Sequence, residues 1–207
     1  MPTLRLTYFD SRGRAEPIRV ALRLGGLPFE DRRLKFPEFA EARARREFPL
    51  GAVPVLEVDG VSIVQTAAIL RDVARLGDRT LYPEDPWAAL RVDSALDSFN
   101  DTFSHALLPS LFERDAAKKL AMRAELAAGP MARVFTYVEG LVGLSGGPFV
   151  AGDTMSVADL VIALQVLQIR SGQLDGLGPA TIEAWPRLSA LADAYLADPR
   201  VAGLAAE

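Results

Sequence analysis

Val55-Leu56-Glu57-Val58-Asp59-Gly60-Val61-Ser62-Ile63-Val64 is a pair of short apolar runs joined by Asp-Gly. Asp-Gly between two such runs is the strongest local signal for a two-residue hairpin turn, since both turn residues must adopt positive φ. Upstream, Leu4, Leu6 and Tyr8 alternate with Arg5 and Thr7, the pattern of a half-buried strand. Residues 14–24 carry apolar side chains at helical spacing and stop at Gly25-Gly26. Residues 27–34 read as a second strand and residues 37–46 as a short helix rich in Ala, Glu and Arg. Downstream of the hairpin, residues 67–76 form another helix that ends at Gly77.

The order is β-α-β-α-β-β-α, and the hairpin decides what it means. A strand-helix-strand start gives a parallel pair, the hairpin adds antiparallel strands, and the helices cover the mixed sheet. This is the thioredoxin-like order. Residues 1–79 are therefore expected to form an α/β thioredoxin-like N-terminal domain. Residues 80–86, with two prolines and two acids, read as a linker. Residues 87–207 hold only helical patterns and are expected to form an all-α C-terminal domain. Residues 87–113 form a long amphipathic helix that Pro109 kinks or ends. Residues 116–144 give one helix or two, with a break near Gly129-Pro130. Residues 157–170 are apolar almost all round and predict a buried central helix. Residues 185–196 form the last clear helix.

Composition narrows the chemistry. The chain has no cysteine, so it holds no disulfide, thiolate metal site or cysteine nucleophile. Any thiol chemistry must use a thiol brought by a ligand. A net charge of −4 argues against a general nucleic-acid or membrane-surface role. Residues 1–80 nevertheless hold 14 Lys+Arg against 11 Asp+Glu, leaving 9 against 16 for the remainder, a bias that suits a small anionic ligand in the N-terminal part. The first residues, MPTLRLTYFD, show no basic segment leading into a long apolar run, so a signal peptide is not expected. Nor does any stretch approach the roughly eighteen apolar residues of a membrane span. A cytoplasmic location is expected.

Tyr8-Phe9-Asp10-Ser11-Arg12-Gly13-Arg14-Ala15-Glu16 joins the first strand to the first helix. Tyr8 closes the strand, so its hydroxyl meets the free N–H groups and positive end of the helix, and the guanidinium of Arg14. Each favours an anion. The plain alternative is a core-edge tyrosine followed by an arginine-rich turn. Y-F-x-x-R-G-R-A-E at this place resembles the opening of cytosolic glutathione transferases of the tyrosine type, most of all the sigma class, which includes glutathione-dependent prostaglandin D synthases. The resemblance runs over the whole chain and is densest in residues 4–76. It implies the glutathione transferase fold, with glutathione as substrate or recycled cofactor. It also implies that the Tyr8 hydroxyl hydrogen-bonds the glutathione sulfur, with Arg14 close by. Arg12 is left to support the loop or pair with an acid.

Gly51-Ala52-Val53-Pro54-Val55-Leu56 precedes the hairpin. Proline before a strand is in itself an ordinary turn residue. In the resembling family this proline is cis, and the backbone of the residue before it, here Val53, pairs with the cysteinyl backbone of glutathione. Gln65-Thr66 opens the third helix, where Thr66 reads as an N-cap. The resemblance adds that this pair, usually Gln-Ser, holds the γ-glutamyl end. Threonine keeps the hydroxyl and adds a methyl. For the glycine end, the sigma-like spacing W-x-x-x-K is matched by Phe39 and Arg43, which lack the indole donor. Arg45 or Arg46 is an alternative clamp for the glycine carboxylate, and a solvated helix face is the bland reading of all three.

The resemblance carries Asp101 over as a ligand of the glutathione amine across a homodimer, against the bland reading of an exposed helix acid. Leu50 stands where some classes insert an aromatic key into the partner, so its identity fits a sigma-like interface. Ser156-Val157-Ala158-Asp159 forms an S-x-x-D capping box, with Met155 and Leu160 as a hydrophobic staple, and is structural. The single histidine, His105, cannot build a metal site alone, and no metal is expected. Trp87 and Trp185 read as packing residues. Phe9, Ser104, Leu107 and Leu108 are expected to line a pocket for a small hydrophobic electrophile. The expected activity is attack of the glutathione thiolate on that electrophile, a detoxification chemistry. Glutathione-dependent isomerisation and a non-catalytic ligand-binding relative are the alternatives. The natural electrophile is not legible.

Overall fold

The computed structural model describes residues 1–77 and 81–204. The chain divides into two compact units, Met1–Arg79 and Thr80–Glu207. The expected boundary at 79/80, with the first linker residue Thr80, lies outside the described residues.

The first unit is a four-stranded sheet, β1 (Leu4–Phe9), β2 (Glu30–Leu34), β3 (Val55–Val58) and β4 (Val61–Val64), in the order β2-β1-β3-β4. β1 runs parallel to β2 and antiparallel to β3, and β3 runs antiparallel to β4. Its helices are α1 (Glu16–Leu24), α2 (Phe36–Ala44) and α3 (Thr66–Leu76). This is the mixed, helix-covered sheet of the thioredoxin-like order. β1 is interior, with Leu4, Leu6, Thr7 and Tyr8 all buried. α1 and α3 pack together, burying Ile18, Ala21 and Leu22 from one and Ile69, Leu70, Val73 and Ala74 from the other. Asp59 and Gly60 both take positive φ, as the two-residue turn requires.

Three of the element ends that differ from the sequence reading have a local cause. β2 begins at Glu30, because the Leu27 N–H closes α1 by donating to the Leu22 carbonyl at 2.9 Å while Gly26 takes φ +63°. α2 stops at Ala44, because Arg46 turns left-handed at φ +58°. Thr66 is the first helical residue of α3, so its N-cap reading is corrected. The cap is Gln65, at φ +80°, whose carbonyl accepts the Ile69 N–H at 2.9 Å.

The second unit is helical: α4 (Pro86–Thr102), α5 (Leu108–Phe112), α6 (Ala116–Leu126), α7 (Ala132–Ser145), α8 (Val157–Arg170), α9 (Pro179–Ile182), α10 (Pro186–Ala197) and α11 (Pro199–Leu204). α4 takes Asp85 as N-cap, with its carboxylate accepting the Ala88 N–H at 2.7 Å. π turns at Phe103–Leu107 and Ala127–Met131 join α4 to α5 and α6 to α7. Each lies at a proline, Pro109 or Pro130, whose missing N–H the wider turn absorbs without ending the helix. α8 is the expected central helix, burying Val157, Ala158, Leu160, Ile162, Ala163, Val166 and Ile169. It packs on α4 and α10. At its start the Asp159 carboxylate accepts the Ser156 N–H at 2.7 Å, the Ser156 hydroxyl at 2.6 Å and the Val150 N–H at 3.0 Å. Trp185 packs its ring edge on Phe135, which stacks on Phe99. Trp87 is 64 % exposed, so its reading as a packing residue does not hold within this chain. Among the described residues no helix is long and apolar enough to cross a membrane.

Candidate active site

Strand register gathers the expected residues of the first unit at one end of the sheet. Tyr8 is next to last in β1, Thr7 faces Val55 at the start of β3, and Val55 faces Val64 at the end of β4. Tyr8, the Val53-Pro54 segment and Gln65-Thr66 therefore share an edge. β2 brings its end to the same side, with Phe9 opposite Leu34 and α2 following directly. The Val53-Pro54 peptide is cis.

Tyr8 is 7 % exposed, and its hydroxyl accepts the Arg14 N–H at 3.2 Å. The turn that brings Arg14 back over Tyr8 needs Gly13. Its φ is +41°, and a Cβ there would stand 2.6 Å from the Tyr8 hydroxyl. Arg14 is half-buried, and its Nε is buried without a hydrogen-bond partner. Burial lowers the pKa of this guanidinium, with the adjacent Tyr8 opposing the shift. Arginine still keeps its charge. Thr66 Oγ1 is likewise buried without a partner, at the start of α3. Buried polar groups normally find a partner, so both atoms are in want of one. A tripeptide with carboxylates and a thiol fits that want: the α3 N-terminus and Thr66 suit a carboxylate, and Tyr8 with Arg14 suits a thiolate.

On α2 the three candidate arginines part ways. Arg45 is engaged by Glu47 at 2.7 Å and Glu41 at 3.8 Å. Arg43 is exposed, in no ion pair among the described residues, and passes Gly51, whose Cβ position lies 3.4 Å from Arg43 Nε. Arg46 sits beyond the helix end. Phe39 belongs to an aromatic stack, 5.7 Å from Phe48 and 5.0 Å from Phe9, and packs against the cluster of Leu34, Ala42, Phe48 and Val55. Most of its ring is thereby committed to packing. Phe9 also meets Tyr8 edge-on at 5.3 Å. Arg12 is exposed and lies 3.6 Å from the half-buried Glu16, an i,i+4 ion pair.

Asp101 belongs to the second unit, exposed in the last turn of α4 beside Asn100. Leu107 is buried in that unit, inside the π turn, and is withdrawn as a pocket-lining residue; Ser104 and Leu108 are half-buried. His105 is exposed, and among the described residues no cluster of His, Cys, Asp or Glu could hold a metal. Sequence reasoning missed Arg19. Its side chain is fully buried beneath the Tyr8 turn, where it donates to the carbonyls of Phe9, Ser11 and Arg12 and to the carboxylates of Glu16 and Asp31. Only its charge on an otherwise apolar helical face (Ile18, Ala21, Leu22) marks it in the sequence.

Comparison with known proteins identifies the family. The family model of the glutathione S-transferase N-terminal domain matches residues 4–75, and that of the C-terminal domain matches residues 100–206. Glutathione S-transferase 1 of Ascaris suum is 34 % identical over 167 residues, covering 78 % of each chain. A prostaglandin synthase D of Nilaparvata lugens superposes with a TM-score of 0.81 at 27 % identity, covering 100 % of this chain and 98 % of the other. A monomeric glutathione S-transferase from the hookworm Necator americanus superposes with a TM-score of 0.83 at 28 % identity, covering 97 % and 95 %. Fold, motif and relatives converge, and the chain belongs to the glutathione S-transferase family.

Proposed function

We propose that the protein is a glutathione transferase in which Tyr8 activates the glutathione thiol. The carrying observation is the Tyr8 hydroxyl, whose oxygen already accepts the Arg14 N–H. A phenol that accepts a hydrogen bond is polarised toward donating its own hydrogen. That hydrogen then stabilises a thiolate, with the unpaired Arg14 guanidinium adding positive potential. The thiolate sulfur attacks an electrophilic carbon. A C–S bond forms, and the displaced electron pair leaves with a leaving group or takes up a proton.

Glutathione lies across the shared sheet edge in this reading. Gln65 and Thr66 hold the γ-glutamyl end, the Val53 backbone beside Pro54 pairs with the cysteinyl unit, and Arg43, with Phe39 at its side, takes the glycine carboxylate. Asp101 meets the glutathione amine across a homodimer. Exposed apolar side chains in each unit, Val61 and Ile63 on β4 and Trp87 and Leu90 on α4, support an assembly of that kind. The setting is cytoplasmic detoxification of hydrophobic electrophiles. Similarity to a prostaglandin synthase favours one second reading, isomerisation with glutathione recycled.

A panel of electrophiles incubated with enzyme and glutathione, followed by mass analysis, tests the function. Products heavier by glutathione support conjugation. Products of unchanged mass, formed only when glutathione is present, establish the isomerase instead. Binding of glutathione with no product from any electrophile contradicts both.

A further inference from the structure

Six charged side chains alternate in sign around the turn that carries Tyr8 and Arg14. Asp10 pairs with Arg33 at 3.2 Å, Arg33 with Asp31 at 2.9 Å, Asp31 with Arg19 at 3.0 Å, Arg19 with Glu16 at 3.3 Å and Glu16 with Arg12 at 3.6 Å. Three cations and three anions cancel. Arg14, in the middle of the same sequence, stands outside the chain of pairs and has no ion pair among the described residues. Most of the six are partly open to solvent, but Arg19 is fully buried. A buried guanidinium is tolerated only when its donors are met. Arg19 meets them with Asp31 Oδ1 and Oδ2 at 3.1 and 3.0 Å, Glu16 at 3.3 Å, and the carbonyls of Ser11, Arg12 and Phe9 at 2.8, 3.4 and 3.4 Å. Those three carbonyls belong to the residues between Tyr8 and Gly13. Their placement determines whether the Arg14 N–H arrives over the Tyr8 hydroxyl.

We propose that Arg19 is a positioning residue for thiol activation: from beneath the turn it fixes residues 9–12, and so sets the Tyr8–Arg14 geometry that lowers the thiol pKa. The inference rests on the reading of Tyr8 as the activating group. Lysine at position 19 would keep the charge but lose the planar fork that serves carboxylate and carbonyls together. The chain of pairs also has a division of labour. It neutralises Arg12, Arg19 and Arg33 and leaves the Arg14 charge for the ligand.

The test is ultraviolet thiolate absorbance of the glutathione complex across pH for wild type, Tyr8→Phe, Arg19→Lys and Asp31→Asn, each with a thermal melt. Arg19→Lys is expected to raise the bound thiol's pKa by about one unit, a roughly tenfold loss of thiolate below that pKa. Asp31→Asn, which keeps the carbonyl contacts, is expected to shift it upward by less. A purely structural Arg19 would lower the melting temperature and leave the titration on the wild-type curve. That result beside a shifted Tyr8→Phe curve overturns the role of Arg19 alone. A Tyr8→Phe titration that coincides with wild type overturns the reading of Tyr8, and with it any action of Arg19 through Tyr8. If Arg19→Lys does not fold, Asp31→Asn decides, and an unshifted curve there overturns the proposal.

Discussion

Two buried polar atoms without partners are the clearest residue-level sign that the sheet edge is built for a ligand. Leaving a hydroxyl such as Thr66 Oγ1 buried and unpaired costs about 1–3 kcal/mol. Thr66→Val keeps the shape and removes that cost. It should raise the melting temperature of the ligand-free protein and weaken glutathione binding about tenfold or more, the worth of a hydrogen bond to a charged group. Calorimetry and thermal melts check both; a variant that binds glutathione normally would make Thr66 a packing residue. Gly13→Ala presses from the other side. Its Cβ would meet the Tyr8 hydroxyl at 2.6 Å in a backbone of φ +41°, so urea unfolding should show a loss of about 1–3 kcal/mol. Stability equal to wild type would mean that the turn moves freely. The strand end, the glycine turn and the helix start that bring Tyr8, Arg14, Gln65 and Thr66 to one sheet edge carry local signals, while their roles toward a ligand came from the family resemblance. Arg19 and its partners were not legible. Asp31 and Arg33 join it through tertiary contacts that no spacing records.

Among the elements, α8 gives the sharpest test because its start holds a buried acid. Burial pushes the Asp159 carboxyl up to about 6, and the bonds from Ser156 and Val150 only partly oppose this. A folded-state pKa above the unfolded value of 3.8 means that the folded protein binds this proton more tightly. The stability that the group contributes is therefore full below about pH 4 and is lost as pH rises through about 6, a swing of about 3 kcal/mol. Asp159→Asn cannot titrate and sets its NH2 against one of the two backbone N–H groups that the carboxylate oxygens accept, so it should be less stable throughout. Its deficit relative to wild type should shrink between pH 4 and pH 7 in parallel melts. A constant or growing deficit would show that the three donors hold the carboxylate ionised. The capping motif, the hairpin and the central helix were all readable from periodicity and cap chemistry. The π turns were not, because a proline in a helix signals a break and gives no sign of how the ladder absorbs it. The short helices α9 and α11 were missed because four to six residues show no period.

At the scale of the whole molecule, two claims remain. One is the homodimer, for which light scattering should return twice the chain's 22.4 kDa mass at micromolar concentration. A mass of one chain would remove the cross-subunit role of Asp101. The family was legible in the sequence, while the electrophile was not, since helix residues lining a pocket carry no motif. The other claim, the central one, is that Tyr8 activates the thiol. A free thiol with a pKa of about 8.5 is only ~3 % ionised at pH 7. A site that lowers this by about two units raises the ionised fraction roughly 25-fold. Nucleophilicity falls by roughly eightfold over the same shift, taking the Brønsted slope of thiol–disulfide exchange. Ionisation alone then gives about a threefold gain in rate at neutral pH, and any larger gain comes from positioning. Rate is thus a blunt probe of Tyr8, and the thiol's own titration is a sharp one. Thiolate absorbance of bound glutathione should rise near pH 6.5 in wild type and at clearly higher pH in Tyr8→Phe, stopping short of the free value of about 8.5 because Arg14 remains. Titrations that coincide would contradict the account and leave activation to Arg14 and the helix start.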